Sequence, residues 1–221
     1  MNVTAIVSAY YAEKYLKSRL DNLMYQKPRP EVVVVCQKGS MEEAIARTYD
    51  VTWILTKDIP TIYAAWNMAI KAANCDYITN ANCDDHIYQD SYAAMSKVLN
   101  DNPDIDVVYG DENQFNGEVN MLKQRPQGDF NLLKRQCFVG PMPMWRKSLH
   151  DRFGYFSEKF RVCGDYEFWL RIGMHGAKFH HLKQVVGLYL KRANSAEHRD
   201  PIVMLAEDDY LKCLYRGIDT L

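Results

Sequence analysis

The sequence predicts an α/β domain with a mixed, mostly parallel central sheet flanked by helices on both faces. Through the first half of the chain, short β-rich apolar runs alternate with segments of helical spacing. One of these runs, EVVVVC (31–36), is apolar almost without interruption, as in strands that are buried on both faces of a parallel sheet. With 221 residues and 48% hydrophobic content, the chain is long enough for one sizeable core, so we expect a single domain over 1–221.

The first half of the chain contains four predicted strands, which are VTAIVSAY (3–10), EVVVVC (31–36), VTWIL (51–55) and CDYIT (75–79). Leucines at helical spacing (16, 20 and 23) predict a helix after the first strand, and MEEAIARTY (41–49) has helical propensity. The clearest helix begins at Ile62, where apolar residues recur at i, i+3, i+4, i+7, i+8 and i+11 as far as Ala73. Strands that alternate with helices imply βαβ units, in which ligands bind at the carboxyl ends of the strands.

The second half of the chain is less regular. DIDVVYGD (104–111) is a predicted strand, whereas QFNGEVNMLKQRPQGDF (114–130) has turn residues and little periodicity, which predicts a loop-rich excursion. CFVGPMPMWRKSL (137–149) is apolar but broken by two prolines, which favours an edge strand. AKFHHL (177–182) and VVGLYL (185–190) are predicted closing strands.

Two helices are predicted in this half. In GDYEFWLRIGMHG (164–176), Phe168, Trp169 and Ile172 are expected to face the core, and Gly176 is expected to end the helix. The last helix begins with an N-cap aspartate, Asp200, followed by a proline. We expect it to bury its most regular apolar set, which is Ile202, Leu205, Ala206, Tyr210, Cys213 and Leu214.

The charge balance and the cysteines exclude several classes of protein. Lys and Arg number 27 and Asp and Glu number 28, so the net charge of -1 argues against nucleic acid as the main partner. No apolar run approaches the roughly 20 residues that a membrane-spanning helix needs, and no cleavable signal pattern is visible, so we expect a cytoplasmic protein without a transmembrane segment. The six scattered cysteines contain no CxxC pair, which predicts reduced thiols and disfavours a zinc site.

The segment ITNANCDDH (78–86) places two adjacent carboxylates after a predicted buried strand. Asp84 and Asp85 are suited to hold Mg²⁺ or Mn²⁺, hard cations that prefer carboxylate oxygens and leave positions open for phosphate. The alternative is a turn in which Asp85 caps a following helix. His86 is either a further ligand or an ordinary loop residue.

The order of these segments, from about residue 3 to residue 195, resembles the family 2 glycosyltransferases of the GT-A fold. NANCDD (80–85) resembles the DxD-type metal and nucleotide motif of that family. GYFSEKFRVCGDYEFWLR (154–171) resembles its G-F-D-E-x-F segment followed by E-D-x-x-x-x-x-R. The resemblance implies metal-dependent transfer of a sugar, with inversion, from a nucleoside diphosphate donor to a glycan or lipid-linked saccharide.

The same resemblance assigns roles to parts of the chain. It implies a nucleotide-binding half (1–110), an acceptor-side half with the catalytic base (111–199) and a C-terminal helix (200–221). Asp84 matches the position that touches the metal, Asp85 lies beside it, and Asp165 matches the catalytic base. The positions expected to bind the nucleotide sugar are Ser8, Ala9, Tyr10, Gln37, Asn67, Asn82, Cys83 and Arg171.

Several of these residues have ordinary structural alternatives. Asp165 could be only an N-cap, because it lies at the start of a predicted helix. Arg171 could form a structural salt bridge, and Asn67 could anchor the loop at 78–85. The segment KRANSAEHR (191–199) resembles the closing loop of the family, in which Arg192 and His198 could contact diphosphate or metal.

The sequence also departs from the family pattern. Tyr11 stands where asparagine is usual, Gln37 and Lys38 replace two aspartates, and Asn82 replaces the first aspartate of the DxD motif. A uridine or thymidine diphosphate sugar is the default donor, and membrane association would come through the acceptor. The alternatives are a nucleotidyltransferase of similar fold, although no glycine- and lysine-rich loop is present, a catalytically degenerate nucleotide-sugar-binding module, and a hydrolase.

Overall fold

The computed structural model describes residues 2–192 and 200–220, so the predicted role of His198 lies outside the described residues. The strands are β1 (Val3–Ala9), β2 (Glu31–Gln37), β3 (Thr52–Thr56), β4 (Tyr77–Asn80), β5 (His86–Ile87), β6 (Val107–Phe115), β7 (Asn120–Lys123), β8 (Met144–Arg146) and β9 (Phe179–Leu190). The helices are α1 (Glu13–Met24), α2 (Met41–Ala46), α3 (Ile62–Ala72), α4 (Ser91–Asp101), α5 (Phe130–Leu133), α6 (Ser148–Phe153), α7 (Gly164–Met174) and α8 (Pro201–Tyr215).

Over the described residues, the strands form one mixed sheet with the order β3-β2-β1-β4-β8-β6-β9-β5, and β7 pairs with β6. The first four strands are parallel to one another, and β6 is parallel to β9. β8 is antiparallel to both of its neighbours. The predicted α/β class with a mixed central sheet is therefore confirmed.

The core lies in two layers, one on each face of the sheet. Alternate residues of β2 point into different layers, with Val33 and Val35 in one and Val32 and Val34 in the other. The first layer contains the buried faces of α3 and α7, and the second contains those of α1 and α4. An apolar strand such as β2 forms because both of its faces are covered by helices.

The segment around β8 contradicts the prediction of an edge strand, because β8 lies in the interior of the sheet between β4 and β6. Its two prolines, at 141 and 143, come before the three-residue strand and do not remove hydrogen-bond donors from it. The carbonyl of Pro143 accepts a hydrogen bond from the hydroxyl of Thr79 at 2.8 Å. Proline is therefore compatible with this interior position because it lies just outside the ladder.

Two further predictions differ from the structure in detail. The segment predicted as a loop-rich excursion contains β7, which pairs antiparallel with the end of β6. The two predicted closing strands are one continuous strand, β9, with register shifts opposite residues 110–112 of β6. A bulge of this kind interrupts the alternation of apolar residues without ending the strand.

The C-terminal helix is present, but the prediction of its buried face is wrong. The side chain of Asp200 caps α8 by accepting a hydrogen bond from the backbone N–H of Val203 at 3.4 Å. Leu211 and Tyr215 are buried, whereas the residues predicted to be buried are exposed, and Ile202 and Leu205 are 78% and 55% exposed. The helix also has an apolar stripe at Met204, Leu211 and Tyr215, and this stripe packs on the core.

The end of α7 agrees with the prediction. Phe168, Trp169 and Ile172 are buried, and Gly176, with φ of +81°, follows the helix. The six cysteines form no disulfide in the structure, as the sequence predicts. Within residues 2–192 and 200–220, none of the helices is long and apolar enough to cross a membrane.

Burial of His150 in the core is expected to make the free energy of unfolding depend on pH. Its ring stacks on Phe168 with centroids 4.7 Å apart, and its Nε2 accepts a hydrogen bond from the Trp145 indole at 2.9 Å. Burial lowers the pKa of His150 to about 4, whereas an unfolded histidine has a pKa of about 6.5. Between these values only the unfolded chain takes up the proton, so the stabilisation is complete above about pH 6.5 and is lost as the pH falls.

We expect His150 to contribute a loss of about 3 kcal/mol in the free energy of unfolding between pH 7 and pH 4. Denaturant unfolding of the wild type and of His150→Gln, which does not titrate, measures this contribution as the difference between their pH slopes. An NMR titration should show that the His150 ring stays neutral at pH 6. Equal slopes, together with a ring that protonates near pH 6.5, would contradict the prediction.

Candidate active site

A cavity of about 580 Å³ opens at the carboxyl ends of β1 and β4. These strands are neighbours in the sheet, but the chain passes through β2 and β3 before it returns to form β4. The connections from β1 and β4 therefore leave in different directions, which is the point in an open α/β sheet where ligands bind. The cavity is lined by Ser8, Tyr10, Tyr11, Ala12, Tyr15, Ile59, Pro60, Thr61, Ile62, Tyr63, Trp66, Asn82, Cys83, Asp84, Arg161, Val162, Asp165, Tyr189 and Arg192.

Asp84 faces this cavity and pairs with a cation. Its carboxylate lies 2.5 Å from the guanidinium of Arg192, and both side chains line the cavity wall. The Arg192 guanidinium also lies over the ring of Tyr15, 4.8 Å from its centroid, and its buried Nε has no hydrogen-bond partner among the residues that the structure describes. The predicted metal-binding carboxylate therefore attracts positive charge, which here comes from the protein itself.

Asp85 points away from the cavity into the protein. It is 1% exposed, and it accepts hydrogen bonds from the backbone N–H of Leu190 and from the side-chain amide of Asn82, both at 3.1 Å. Burial, followed by repulsion from Asp84, raises the pKa of Asp85 to about 7. Arg19, which is fully buried in α1, opposes this shift. Asp85 therefore holds the 80–86 loop in place through buried hydrogen bonds. Arg19, which no motif in the sequence indicates, partly compensates the negative charge of Asp85.

Asp165 lies at the start of α7, on the wall of the same cavity. Its carboxylate is 3.4 Å from the hydroxyl of Tyr63, which also donates a hydrogen bond to the carbonyl of Val162. Burial, followed by the charge of Asp165, raises the pKa of Tyr63 well above its ordinary value, so the phenol keeps its proton. Gly164 permits this approach, because a Cβ there would lie 2.7 Å from the Tyr63 ring.

Glu207 of α8 holds the segment that leads to Asp165. Its carboxylate accepts hydrogen bonds from the backbone N–H groups of Arg161 at 2.7 Å, Val162 at 2.9 Å and Cys163 at 2.8 Å. A second link joins the guanidinium of Arg161 to Asp200 at 3.4 Å. Glu207 could not be identified from the sequence, since its three partners lie at least 44 residues away and no local pattern connects them.

Residues at the end of β1 and just after it also line the cavity. Tyr10 shares a hydrogen bond of 2.8 Å with the hydroxyl of Thr56, so its ring is tied to β3. Tyr11 is 78% exposed and has a φ of +54°, in the left-handed region that asparagine adopts more readily than tyrosine. Cys83 donates a weak hydrogen bond to the carbonyl of Ser8 at 3.4 Å, and burial raises its thiol pKa to about 12. This thiol is therefore protonated and unreactive.

Four of the residues expected to bind the donor lie outside the cavity lining, namely Ala9, Gln37, Asn67 and Arg171. Ala9 is buried in the core, and Gln37 donates a hydrogen bond to the carbonyl of Lys57 at 3.2 Å. Asn67 is buried and pairs with both backbone groups of Phe156, so it anchors the 155–158 turn rather than the loop at 78–85.

Arg171 is engaged within α7 and the segment before it. It binds the carboxylate of Glu167 through two nitrogens at 2.8 and 2.9 Å. It also donates hydrogen bonds to the carbonyls of Phe153 and Tyr155. These contacts are those of a structural salt bridge.

His86 belongs to β5, where its Nε2 lies 3.3 Å from the hydroxyl of Ser18. Burial, followed by Arg19, lowers the pKa of this imidazole. Within the described ranges, no group of three or more His, Cys, Asp and Glu side chains is arranged to hold a metal. Asp84 is thus the only charged side chain of the 80–86 loop on the cavity wall.

The sequence model described as glycosyl transferase family 2 matches residues 4–162, which include all of the cavity-lining residues named above except Asp165, Tyr189 and Arg192. The chain belongs to this family. Membership makes it a glycosyltransferase, and it confirms the resemblance seen in the sequence. No curated protein matches the chain.

Solved structures of glycosyltransferases share the fold of this family 2 chain. TarS 1–349 from S. aureus, in complex with UDP-GlcNAc, superposes with a TM-score of 0.75 at 18% identity and covers 98% of this chain and 72% of that one. The mannosyltransferase PcManGT from Pyrobaculum calidifontis, in complex with GDP-Man and Mn²⁺, has a TM-score of 0.70 at 20% identity. Its match covers 97% of this chain and 64% of the other. These likenesses confirm the GT-A fold.

Proposed function

We propose that this glycosyltransferase transfers a sugar, with inversion and with the help of Mg²⁺ or Mn²⁺, from a nucleoside diphosphate sugar to a hydroxyl of a glycan or lipid-linked saccharide. The observation that carries the proposal is that Asp84 and Asp165 both line one cavity at the switch point of the sheet. These are the two carboxylates that line the cavity among the described residues.

The reaction needs a base on the acceptor side. The acceptor oxygen forms a bond to the anomeric carbon of the sugar, the bond from that carbon to the diphosphate breaks, and its electron pair leaves on the diphosphate. The hydroxyl proton passes to the carboxylate of Asp165, which lines the cavity at the start of α7. The hydroxyl of Tyr63, at 3.4 Å, keeps this carboxylate in place without competing for the proton.

The residues present fit a divalent cation that is held mainly by the donor. Asp84 supplies one charged oxygen ligand, and Mg²⁺ is commonly bound by one or two carboxylates together with substrate phosphates. When bound, the cation neutralises the charge that grows on the departing diphosphate. The fold of this chain is similar to that of PcManGT, whose structure contains GDP-Man and Mn²⁺, and this similarity supports the assignment.

Arg192 adds a condition for cation binding. Its guanidinium already engages Asp84 at 2.5 Å, so a cation has to displace it from that carboxylate. A displaced Arg192 would then supply positive charge for the diphosphate, together with Arg161, which also lines the cavity. Metal and nucleotide should therefore stabilise the protein together much more than the metal does alone.

Thermal unfolding with a panel of nucleotides tests the proposal. The panel contains UDP, GDP, dTDP, UDP-GlcNAc and GDP-mannose, each with and without Mn²⁺. A nucleotide that binds should raise the melting temperature by about 5 to 10 °C at a concentration near 100 times its Kd, and only with Mn²⁺. The nucleotide that gives the shift names the base of the donor.

Two aspartate variants identify the site in this experiment. Asp84→Asn should lose the shift that depends on Mn²⁺, because the amide brings no charge. The matched control is Asp151→Asn, which makes the same chemical change at an exposed position of α6 and should keep the shift. If no nucleotide stabilises the wild type in the presence of Mn²⁺, the chain is a degenerate module. A nucleotide shift that Asp84→Asn retains would place the cation elsewhere.

A further inference from the structure

A second cavity, of about 410 Å³, lies between α5 and the C-terminal end of α8. Its volume falls within the range of about 300 to 1,000 Å³ that is usual for small-molecule sites. It shares no lining residue with the cavity described above. Its lining consists of Asn131, Lys134, Arg135, Lys212, Arg216 and Gly217.

The lining of this second cavity is strongly cationic. Among the described residues that line it, four are basic and none is acidic, in a chain whose net charge is -1. Arg135 and Arg216 are exposed, and neither guanidinium is paired with a carboxylate among the residues that the structure describes. Like charges gathered in one concave surface raise the local positive potential and attract anions.

The two lysines are held in place by neighbours. Lys134 donates a hydrogen bond to the carbonyl of Ile218 at 2.9 Å, and its ammonium lies 5.2 Å from the centroid of the Phe130 ring. Lys212 lies 2.5 Å from the carboxylate of Asp208, one turn earlier in α8. These contacts fix both ammonium groups at the cavity and leave the two arginines to form new hydrogen bonds.

We propose that the α5–α8 cavity binds a phosphate group or a comparable oxyanion. Guanidinium groups bind phosphate through two parallel hydrogen bonds, and Arg135 and Arg216 supply two such groups. The asparagine amide of Asn131 adds a neutral donor at the rim. The ligand contacts α5 and α8 together, so it fastens the C-terminal helix to the domain.

This site is separate from the proposed donor cavity. α8 has 15 residues, which corresponds to a length of about 22 Å. Asp200 and Glu207, in the N-terminal half of this region, contact the segment before Asp165, whereas Arg216 follows the last residue of the helix. The proposal therefore does not depend on donor binding, and the two can fail separately.

The phosphate could be free or could belong to an anionic lipid. Leu205 and Lys212 are spaced at i and i+7, so they share one face of α8, and Arg216 directly follows the end of this helix. Leu205 is 55% exposed, and Ile202, in the first turn of the helix, is 78% exposed. Apolar side chains beside a cationic cavity suit a membrane surface, so the test includes vesicles.

The experiment uses the full chain in metal-free buffer with EDTA. Calorimetry measures the binding of inorganic phosphate and inorganic pyrophosphate, and sedimentation measures binding to phosphatidylglycerol vesicles against phosphatidylcholine vesicles. Arg135→Gln/Arg216→Gln removes both guanidinium groups. Lys97→Gln/Lys183→Gln makes the same change in charge at two other exposed positions and serves as the control. The single variants at 135 and 216 replace the double variant if it fails to fold.

We expect Arg135→Gln/Arg216→Gln to weaken binding of at least one probe by about tenfold or more, while the control variant stays within about twofold of the wild type. Loss of phosphate or pyrophosphate binding assigns the site to a free anion, and loss confined to phosphatidylglycerol vesicles assigns it to a lipid. The melting-temperature shift with nucleotide and Mn²⁺ should be unchanged. If the wild type binds none of the probes, or if both double variants bind like the wild type, the proposal is wrong.

Discussion

Replacement of Asp165 by asparagine is expected to lower turnover of the nucleotide-sugar donor by about 10²- to 10⁴-fold, the usual contribution of a general base. The amide oxygen can still accept the hydrogen bonds that the Tyr63 hydroxyl, at 3.4 Å, and the Tyr166 N–H, at 2.8 Å, donate to this position. The start of α7 should therefore keep its geometry. Only the ability to take a proton is lost.

Release of nucleoside diphosphate from the donor that the thermal-shift panel identifies measures this turnover, with a mixture of saccharide acceptors or with water as the acceptor. Donor binding and melting temperature are measured alongside, and both should match those of the wild type. Asp151→Asn is again the matched control. Turnover within about threefold of the wild type would show that Asp165 has only a structural role in the first turn of α7, and that another group accepts the proton.

The strands and helices that position the cavity could be predicted largely from local patterns. β2 and α3 are the clearest examples, since one is a continuous apolar run and the other repeats its apolar residues every three or four positions. The interior position of β8 could not be predicted in this way, because strand order depends on contacts between distant segments. The buried face of α8 was ambiguous, since the helix has apolar residues on more than one face.

The residues of the site likewise divide into those that a local motif indicates and those that depend on contacts between distant segments. Asp84 and Asp165 stand out because each lies in a recognisable motif, one in the loop between β4 and β5 and the other in the first turn of α7. Arg19, which compensates Asp85, lies in α1 and is an ordinary polar residue in its own segment. Arg171 and Asn67 match family positions, yet their side chains are engaged by neighbouring backbone groups. A sequence motif identifies which residues are available, but packing decides where each side chain points.

Replacement of Glu207 by alanine is expected to lower the free energy of unfolding by about 2 to 4 kcal/mol and turnover by about tenfold to a hundredfold. The carboxylate accepts three backbone hydrogen bonds from residues 161–163, each between 2.7 and 2.9 Å. Alanine removes this acceptor from all three N–H donors. These residues lead directly to Asp165, so their loosening moves the candidate base. Denaturant unfolding and donor turnover, both below the melting temperature of the variant, measure the two effects.

Glutamine at position 207 should fall between alanine and the wild type. Its single carbonyl oxygen can serve Val162 and Cys163, which share one carboxylate oxygen, but its amide nitrogen opposes the N–H of Arg161. The control is Asp209→Ala, at an exposed position of the same helix. If Glu207 positions the base, the turnover number falls by a larger factor than the KM for the donor rises, because the three anchored residues lead directly to Asp165 and only Arg161 among them is proposed to act on the diphosphate. Loss of stability with an unchanged turnover number would mean that Glu207 anchors α8 and does nothing for Asp165.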